Sequence, residues 1–370
     1  MKHMSVLIPD GNNHRALKVV RSLACSEYMK IYIIADKNRN VHFSKHCKAF
    51  ILPEKDDDKN VYLKQIIDIS KKYHIDTLLP ISEAGIKFVI LHKDILKEYY
   101  NIAPIPDDKF FETARNKGLF HDFAVEHHLP VPKAVHTADF FTDSSAIKDL
   151  SFPVLLKPVI GEGGQGIQYV ESEKQFRQIF DVKTSQNHYD NYLIQEYIMG
   201  KDTDLSVLCK NGEILAYTIQ IPVVKHAGAF SFGKIIRFIE HNDILETGRK
   251  LLSDLQWNGI AHIDFLVEEK NAVARIIDIN PRFWGSLYGS VSAGVNFPYL
   301  ACLAAEGIFF SLPSYDKTVY AELSNKEKLH LLLGRKQNHN ITLKQTDFKY
   351  TRNDPFQSLK EFITLFNLNK

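Results

Sequence analysis

The sequence predicts a mixed architecture, α/β at the N-terminus and α+β beyond it. Three observations predict it. Short, continuously apolar runs alternate with amphipathic segments through the first third of the chain. Extended runs joined by polar or glycine-rich turns dominate the middle. Pro104 and Pro106, then Pro130 and Pro132, punctuate the change from one pattern to the other.

Residues 5–9 read as a first strand and residues 14–23 as a helix, with Leu17, Val20 and Leu23 at three-residue spacing. Residues 31–35, 49–52 and 77–80 read as further strands, and 61–73 as a helix. A strand without polar alternation is buried on both faces, so this pattern belongs to a parallel sheet covered by helices on each side. Asp10-Gly11 follows the first strand. It is either a ligand position at the next helix N-terminus or a plain tight turn. Farther on, residues 152–158, 167–171, 191–196, 259–268 and 273–280 read as extended, and a helical pattern starts near Glu173. These form an antiparallel α+β region. From about residue 311 the chain is polar and shows no clear period.

A chain of 370 residues with 45% hydrophobic and 24% charged residues forms two or three packed units with a sizeable core. Lys+Arg (46) and Asp+Glu (44) nearly cancel, which excludes a basic nucleic-acid protein. The 16 histidines are scattered without zinc spacing. Cys25, Cys47, Cys209 and Cys302 form no Cys-x-x-Cys pair, as expected of reduced thiols. No apolar stretch reaches membrane-spanning length, and the run at 6–9 is too short for a signal-peptide core. The expectation is a cytoplasmic protein without membrane or nucleic-acid partners.

Residues 161–166 satisfy G-x-G-x-x-G. A dinucleotide-binding loop needs a helix after it, whereas residues 167–170 are extended, and the Gly-Lys-Ser/Thr of a P-loop is missing. The loop is therefore a hairpin flap. Backbone N–H groups in such a flap can close over phosphate oxygens, and Lys157 on the preceding strand could reach the same anions. The competing reading is an ordinary glycine-rich hairpin.

The sharpest pattern is the pair of runs around Asp264 and Asp278, joined by the polar turn 268–271. Both alternate polar and apolar residues, so they predict a hairpin with the two acids on neighbouring strands. Asp278 and Asn280, two apart, share a face. Three oxygen-bearing side chains then converge as magnesium requires, with phosphates and water completing its shell. Arg282 is placed to hold a transferring phosphoryl group. The competing reading, a solvated surface hairpin, leaves Asp278 an uncompensated charge among Ile276, Ile277 and Ile279.

Together these residues resemble the ATP-grasp superfamily, in the branch similar to carbamoyl-phosphate synthetase and carboxylate–amine ligases, up to about residue 300. The resemblance implies an N-terminal parallel α/β (pre-ATP-grasp) domain over 1–112 and a two-lobed ATP-grasp domain. Its small lobe with the flap spans 113–192 and its large lobe with the metal site 193–310, and 311–370 is a C-terminal extension packed on it. Asn116-Lys117 before Leu129-Pro-Val-Pro132 resembles the helix whose lysine contacts ATP phosphate. The strand ending Lys157-Pro158 resembles that of the second phosphate-binding lysine. Gly161, Gly163, Gly164, Gln165 and Gly166 resemble the mobile glycine loop. Gln195, Glu196, Tyr197 and Ile198 resemble the hinge against which adenine stacks. Asp204 resembles the ribose-binding acid, with Asp202 in competition for that place. Asp264, Asp278 and Asn280 match the metal ligands, and Arg282 the phosphate-stabilising arginine. In two respects the chain departs from the family pattern. The metal positions more often carry Glu or Gln and then Glu, and the ribose position is usually Glu.

The resemblance implies an enzyme that binds ATP with Mg2+, Mn2+ being an alternative. It would phosphorylate a small-molecule carboxylate, an amino acid or small metabolite, and couple it to an amine, with Lys157 and Arg282 as catalytic residues. A homodimer is admitted. Two other readings stand beside it. One is phosphorylation of bicarbonate or carbamate, against which the single copy of the motif set argues. The other is a non-catalytic nucleotide-binding module. Residues 225–233, Arg237 and residues 283–286, including Trp284 and Ser286, are candidates for the second substrate's pocket, the alternative for the aromatics being the core.

Overall fold

The computed structural model describes residues 3–26, 28–54, 58–180, 189–226, 233–333 and 341–356. Their first sheet contains β1 (Met4–Ile8), β2 (Met29–Ile34), β3 (Cys47–Ile51), β4 (Thr77–Leu78) and β5 (Asn101–Ile102), all parallel, in the order β3-β2-β1-β4-β5. All five residues of β1 are buried, as a centrally placed strand requires. Val6 and Ile8 pack with Val19, Val20 and Leu23 of the helix Ala16–Leu23. Leu7 points the other way, to Leu63 and Ile66 of the helix Lys59–Tyr73 and to Ile86 and Val89 of Glu83–Leu91. The two-residue period of the strand explains why both neighbours in sequence are core.

The Asp10-Gly11 turn ties two strand ends together. The half-buried Asp10 carboxylate accepts hydrogen bonds from the Ile81 and Ser82 amides and the Ser82 hydroxyl. Burial raises it to about 6. Ser82 in turn caps the helix Glu83–Leu91 through the Gly85 amide. A Cβ on Gly85 would overlap the Asp10 carboxylate. Alanine's helix advantage of about 1 kcal/mol is outweighed by overpacking, about 1–3 kcal/mol, because the hydrogen bonds keep the carboxylate from yielding. Gly85→Ala is expected to lower stability by about 2 kcal/mol in urea unfolding; an unchanged midpoint would show that the turn yields.

The second sheet is antiparallel and holds β6 (Ala134–His136), β7 (Val154–Pro158), β8 (Gln168–Val170) and β9 (Tyr192–Glu196) in the order β6-β9-β7-β8. The helices Thr137–Thr142 and Glu173–Phe180 cover it through Phe140 and Phe176, which meet Val154, Leu156 and Ile194. The third sheet is antiparallel too. It comprises β10 (Gly200–Lys210), β11 (Glu213–Lys225), β12 (Gly233–Ile239), β13 (Gly259–Glu268), β14 (Ala274–Asn280) and β15 (Val319–Ala321), in the order β14-β13-β10-β11-β12-β15.

Alternation gives the third sheet two different faces. Leu205, Val207, Ala261, Ile263 and Phe265 pack with Ile244, Leu251 and Leu252 of the helix Asn242–Asp254. The opposite face carries Leu208 and Ile260, which share a core with β1, Trp284 and the helix Phe297–Ala305. Asp204, Ser206, His262 and Asp264 fall on that second face by the same parity. The N-terminal unit is thereby packed beside the polar cluster.

The extended runs expected from the sequence pass from 191–196 directly to 259–268, whereas β10, β11 and β12 lie between them. Asp202, Asp204 and Ser206 interrupt the apolar run of β10, and that hid a long strand. β9 pairs with β7, so the second sheet runs to Glu196. The expected C-terminal extension lends β15 to the third sheet. Among the described residues no helix is long and apolar enough to cross a membrane. The four cysteines are free thiols, Cys209 and Cys302 buried.

Candidate functional site

Strand register brings the acids together. Asp204 on β10 stands opposite Asp264 on β13, and Asp264 opposite Asp278 on β14. Ser206 and Asn280 flank His262 in the same way. Carboxylates abreast on three neighbouring strands repel one another unless a proton or cation intervenes. Burial, then the charges of Asp204 and Asp278, hold the Asp264 carboxyl well above the usual carboxylate range. Burial raises Asp204 to about 6. Donor atoms of Asp204, His262 and Asp264 all lie within 4.8 Å of one another. Hard oxygens in such a cluster fit a divalent cation, whose charge would relieve their repulsion.

His262 joins this cluster although the sequence reading did not select it. Burial lowers its pKa to about 3, helped by Arg282 and Arg15, so the ring is neutral. Its Nδ1 lies 2.9 Å from the Ser206 hydroxyl, and its ring stacks on Trp284 at 5.3 Å. The signal was present in the sequence: two residues before Asp264 on a strand means the same face. Gln220 was missed as well; its amide donates to Asp204 Oδ2 and to the Ser286 hydroxyl, both at 2.9 Å.

Two lysines converge from the second sheet and its neighbouring helix. Asn116 caps the helix Lys117–Glu126 by accepting from the Gly118 and Leu119 amides, which fixes Lys117 at its first position. Lys117 Nζ is 3.0 Å from Asp278 Oδ2 and donates to the Gly161 carbonyl at 3.0 Å. Asp278, placed among isoleucines, thus has a cationic partner. Lys157 is buried on β7 and donates to Gln195 Oε1 at 2.6 Å. Burial lowers its ammonium to about 8, with Asp278 and Asp264 opposing the shift. Lys117, Lys157, Leu193, Gln195 and Ile277 border one small cleft.

The glycine loop joins β7 to β8 as a hairpin, with no helix directly after it. Gly163 and Gly164 take φ of 65° and 75°, the left-handed region that favours glycine. Gln165 is exposed, and its amide donates to the Glu162 carbonyl. Glu162 Oε2 lies 2.9 Å from both Arg15 Nη2 and Arg282 Nη2, and this contact anchors the loop over the site. Arg282, itself buried, also donates to Asn280 Oδ1 at 2.8 Å and to Glu83 at 3.2 Å. Asn280 Nδ2 reaches Asp264 Oδ2 at 3.3 Å. Asp264, Asn280 and Arg282 therefore form one hydrogen-bonded chain.

The remaining candidates are less concentrated. Gln195 faces Lys157, whereas the Glu196 carboxylate accepts from the Ser151 amide at 2.8 Å. Tyr197 is exposed, edge-on to Tyr169, and Ile198 is half-buried. Asp202 is engaged by Lys225, so Asp204 is the acid of the pair that faces the cluster. Phe283 and Trp284 are core residues and Arg237 is exposed. Of residues 225–233, those numbered 227–232 lie outside the described residues. Arg15 and Glu83 come from the N-terminal unit, and no local pattern announces them.

The description of the ATP-grasp domain fits residues 114–286. The chain is 22% identical over 324 residues to the D-aspartate ligase of Enterococcus faecium, an alignment covering 82% of this chain and 76% of that protein. It is 25% identical over 271 residues to the carbamoyl-phosphate synthase of Methanobrevibacter smithii, covering 70% of this chain and 64% of that one. The fold superposes on the N5-carboxyaminoimidazole synthetase of Staphylococcus aureus complexed with ADP, with a TM-score of 0.68 at 16% identity over 92% of each chain.

Proposed function

We propose, from the match of residues 114–286 to the ATP-grasp domain, that the protein is an ATP-dependent carboxylate–amine ligase forming an acylphosphate and then an amide. The observation that supports this most is the meeting of Asp264, Asp278, Asn280 and Arg282 with Lys117 and Lys157 under the glycine loop. ATP-grasp enzymes bind ATP with Mg2+; the pair supplies the phosphoryl group, its leaving group and charge neutralisation. A carboxylate oxygen bonds to the γ-phosphorus as the bond to ADP breaks. The amine nitrogen then attacks the acyl carbon, phosphate leaves, and the nitrogen gives a proton to solvent.

The chain contributes positioning and charge. Asp264, Asp278 and Asn280 would hold the cation, with His262 and Asp204 at its border. Lys117 and Lys157 would hold the nucleotide phosphates, and Arg282 the group in transfer. Residues 195–198 would receive adenine. Gly161, Gly163, Gly164, Gln165 and Gly166 would cover the acylphosphate and keep water from it. The D-aspartate ligase relative favours an amino acid among the substrates. Purified protein with Mg-ATP, hydroxylamine and pools of amino acids is expected to release ADP and form hydroxamates. If every pool stays at background, the ligase reading fails. The carbamoyl-phosphate synthase relative motivates a second reading, which bicarbonate-dependent ADP release without an amino acid would favour.

A pH dependence follows from Lys157. In the free protein its ammonium titrates near 8, because burial disfavours charge. A bound polyphosphate favours the cation and raises that value. The binding contribution is thus fully available below pH 8 and is lost as pH rises through it, by up to about tenfold in affinity per pH unit. ATP binding at pH 8.5 should take up a proton, read from calorimetry in buffers of different ionisation enthalpy. Lys157→Met should abolish the uptake; its persistence would assign the proton elsewhere.

A further inference from the structure

We propose that Arg15 and Arg282 together form the seat of the carboxylate that is activated, and that Glu162 of the glycine loop occupies this seat as an internal stand-in until the substrate displaces it. The inference rests on the ligase reading and adds a residue and a substrate-recognition step to it.

Arg15 directly precedes the helix Ala16–Leu23, and Arg282 follows β14, so the two come from different units of the fold. Both side chains are only 8% exposed. Two buried guanidinium groups that share one carboxylate oxygen repel each other, and burial and Arg282 both lower the Arg15 pKa. Emptying such a seat would leave cations uncompensated in a poorly solvated place, so an anion fills it at all times. Arg282 has further partners in Glu83, Asn280 and the Phe283 carbonyl. Arg15 differs. Among the described residues Glu162 is the one acid within ion-pair distance of it, and its Nε is buried without a hydrogen-bond partner. The seat therefore has an unused donor pointing from the N-terminal unit.

The occupant is a poor structural partner in every other respect. Glu162 is half-exposed, and it is carried by a loop whose glycines Gly161 and Gly163 have open space where a Cβ would lie. A structural ion pair would be expected to join well-anchored elements. Here the loop is held by that carboxylate and by the Lys117 contact to the Gly161 carbonyl. What sits between the two arginines is already a carboxylate, and a guanidinium pair recognises that group by geometry as well as charge. The chain Asp264–Asn280–Arg282 leads from the cation cluster to this seat, while Lys117 and Lys157 lie on the phosphate side with Asp278 and Gln195. An acid bound between Arg15 and Arg282 would present its oxygen to a phosphoryl group held by the lysines. Its arrival would release Glu162, so acid binding and this loop contact exclude each other.

Two measurements on the full chain separate this inference from the ligase reading. The first needs no turnover: titration of the nucleotide-free protein with inorganic phosphate as an anion probe. Glu162→Gln should bind phosphate at least about fivefold more tightly than the unaltered protein, because the internal competitor is gone, and adding Arg15→Gln should remove the gain. Equal binding by Glu162→Gln, or a gain that survives Arg15→Gln, overturns the seat. The second uses the hydroxamate assay with the best amino acid found. Arg15→Gln should raise KM for the acid at least about tenfold with KM for ATP within about twofold, and Arg15→Lys should restore part of it. A rise in KM for ATP instead assigns the seat to the nucleotide's terminal phosphate and overturns the carboxylate assignment. If no acid supports turnover, the ligase reading and the substrate assignment fall together, while the phosphate titration still decides whether Glu162 shields an anion site. Glu162→Gln alters a half-exposed loop side chain, so its result stands even where Arg15→Gln fails to fold.

Discussion

Asp278→Asn is expected to lower Mg-ATP-dependent turnover by about a thousandfold in a protein that remains folded. The side chain keeps its size and loses its charge. Asp278 stands opposite Asp264 across the β13–β14 pairing and lies 3.0 Å from Lys117. It would therefore serve the cation and the first phosphate-binding lysine at once. Phosphoryl transfer draws its catalysis from positioning and neutralisation, and removing one such preorganised group typically costs about 10²–10³ in rate. Loss of the carboxylate also frees Lys117, whose other contact is the Gly161 carbonyl of the loop. The upper end of that range is expected for this reason. Steady-state rates over a magnesium series should show a higher metal requirement as well as lower turnover, with the melting temperature nearly unchanged. Turnover within about fivefold of the original would remove Asp278 from the site.

How far the site was legible depended on the distance between its parts in sequence. Asp264, Asp278, Asn280 and Arg282 lie on one hairpin, and the two-residue period of strands is a local rule that puts them on one face. Lys157 and the glycine loop are likewise adjacent. The same rule would have found His262, had histidine been weighed beside the acids. Arg15 and Glu83 could not be read this way, because only packing of the parallel sheet against the third sheet brings them to Arg282. The parallel unit was legible because its strands are apolar on both faces, as β1 is throughout. β10 and its neighbours were not, since functional polar residues occupy one face of an otherwise apolar strand. Asp10 is a further lesson: an acid in a strand-to-helix turn has the appearance of a ligand, yet it is consumed by Ile81 and Ser82.

Asp354→Ala is expected to destabilise the protein by about 3–5 kcal/mol. Asp354 has no exposure and Arg21 has 3%, and they meet at 2.9 Å. Asp354 also accepts from the Ser44 hydroxyl at 2.8 Å and the Lys45 amide at 3.0 Å. It thereby fastens the far end of the described chain to the helix Ala16–Leu23 and the loop before β3. Desolvating an ion pair cancels much of its attraction, so the pair itself contributes little net stability. Removing one member is a different matter, because the buried guanidinium then loses this carboxylate, and the Ser44 and Lys45 donors lose their acceptor. The distinction is measurable. Arg21→Met combined with Asp354→Leu should recover most of the loss, since two apolar side chains leave no charge stranded. Urea unfolding of the single and double variants completes the cycle. A loss below about 1 kcal/mol for Asp354→Ala would mean that water reaches Arg21 and that the contact is dispensable. A double variant no better than Asp354→Ala would show that the hydrogen bonds to Ser44 and Lys45, more than the charge, hold the C-terminal segment in place.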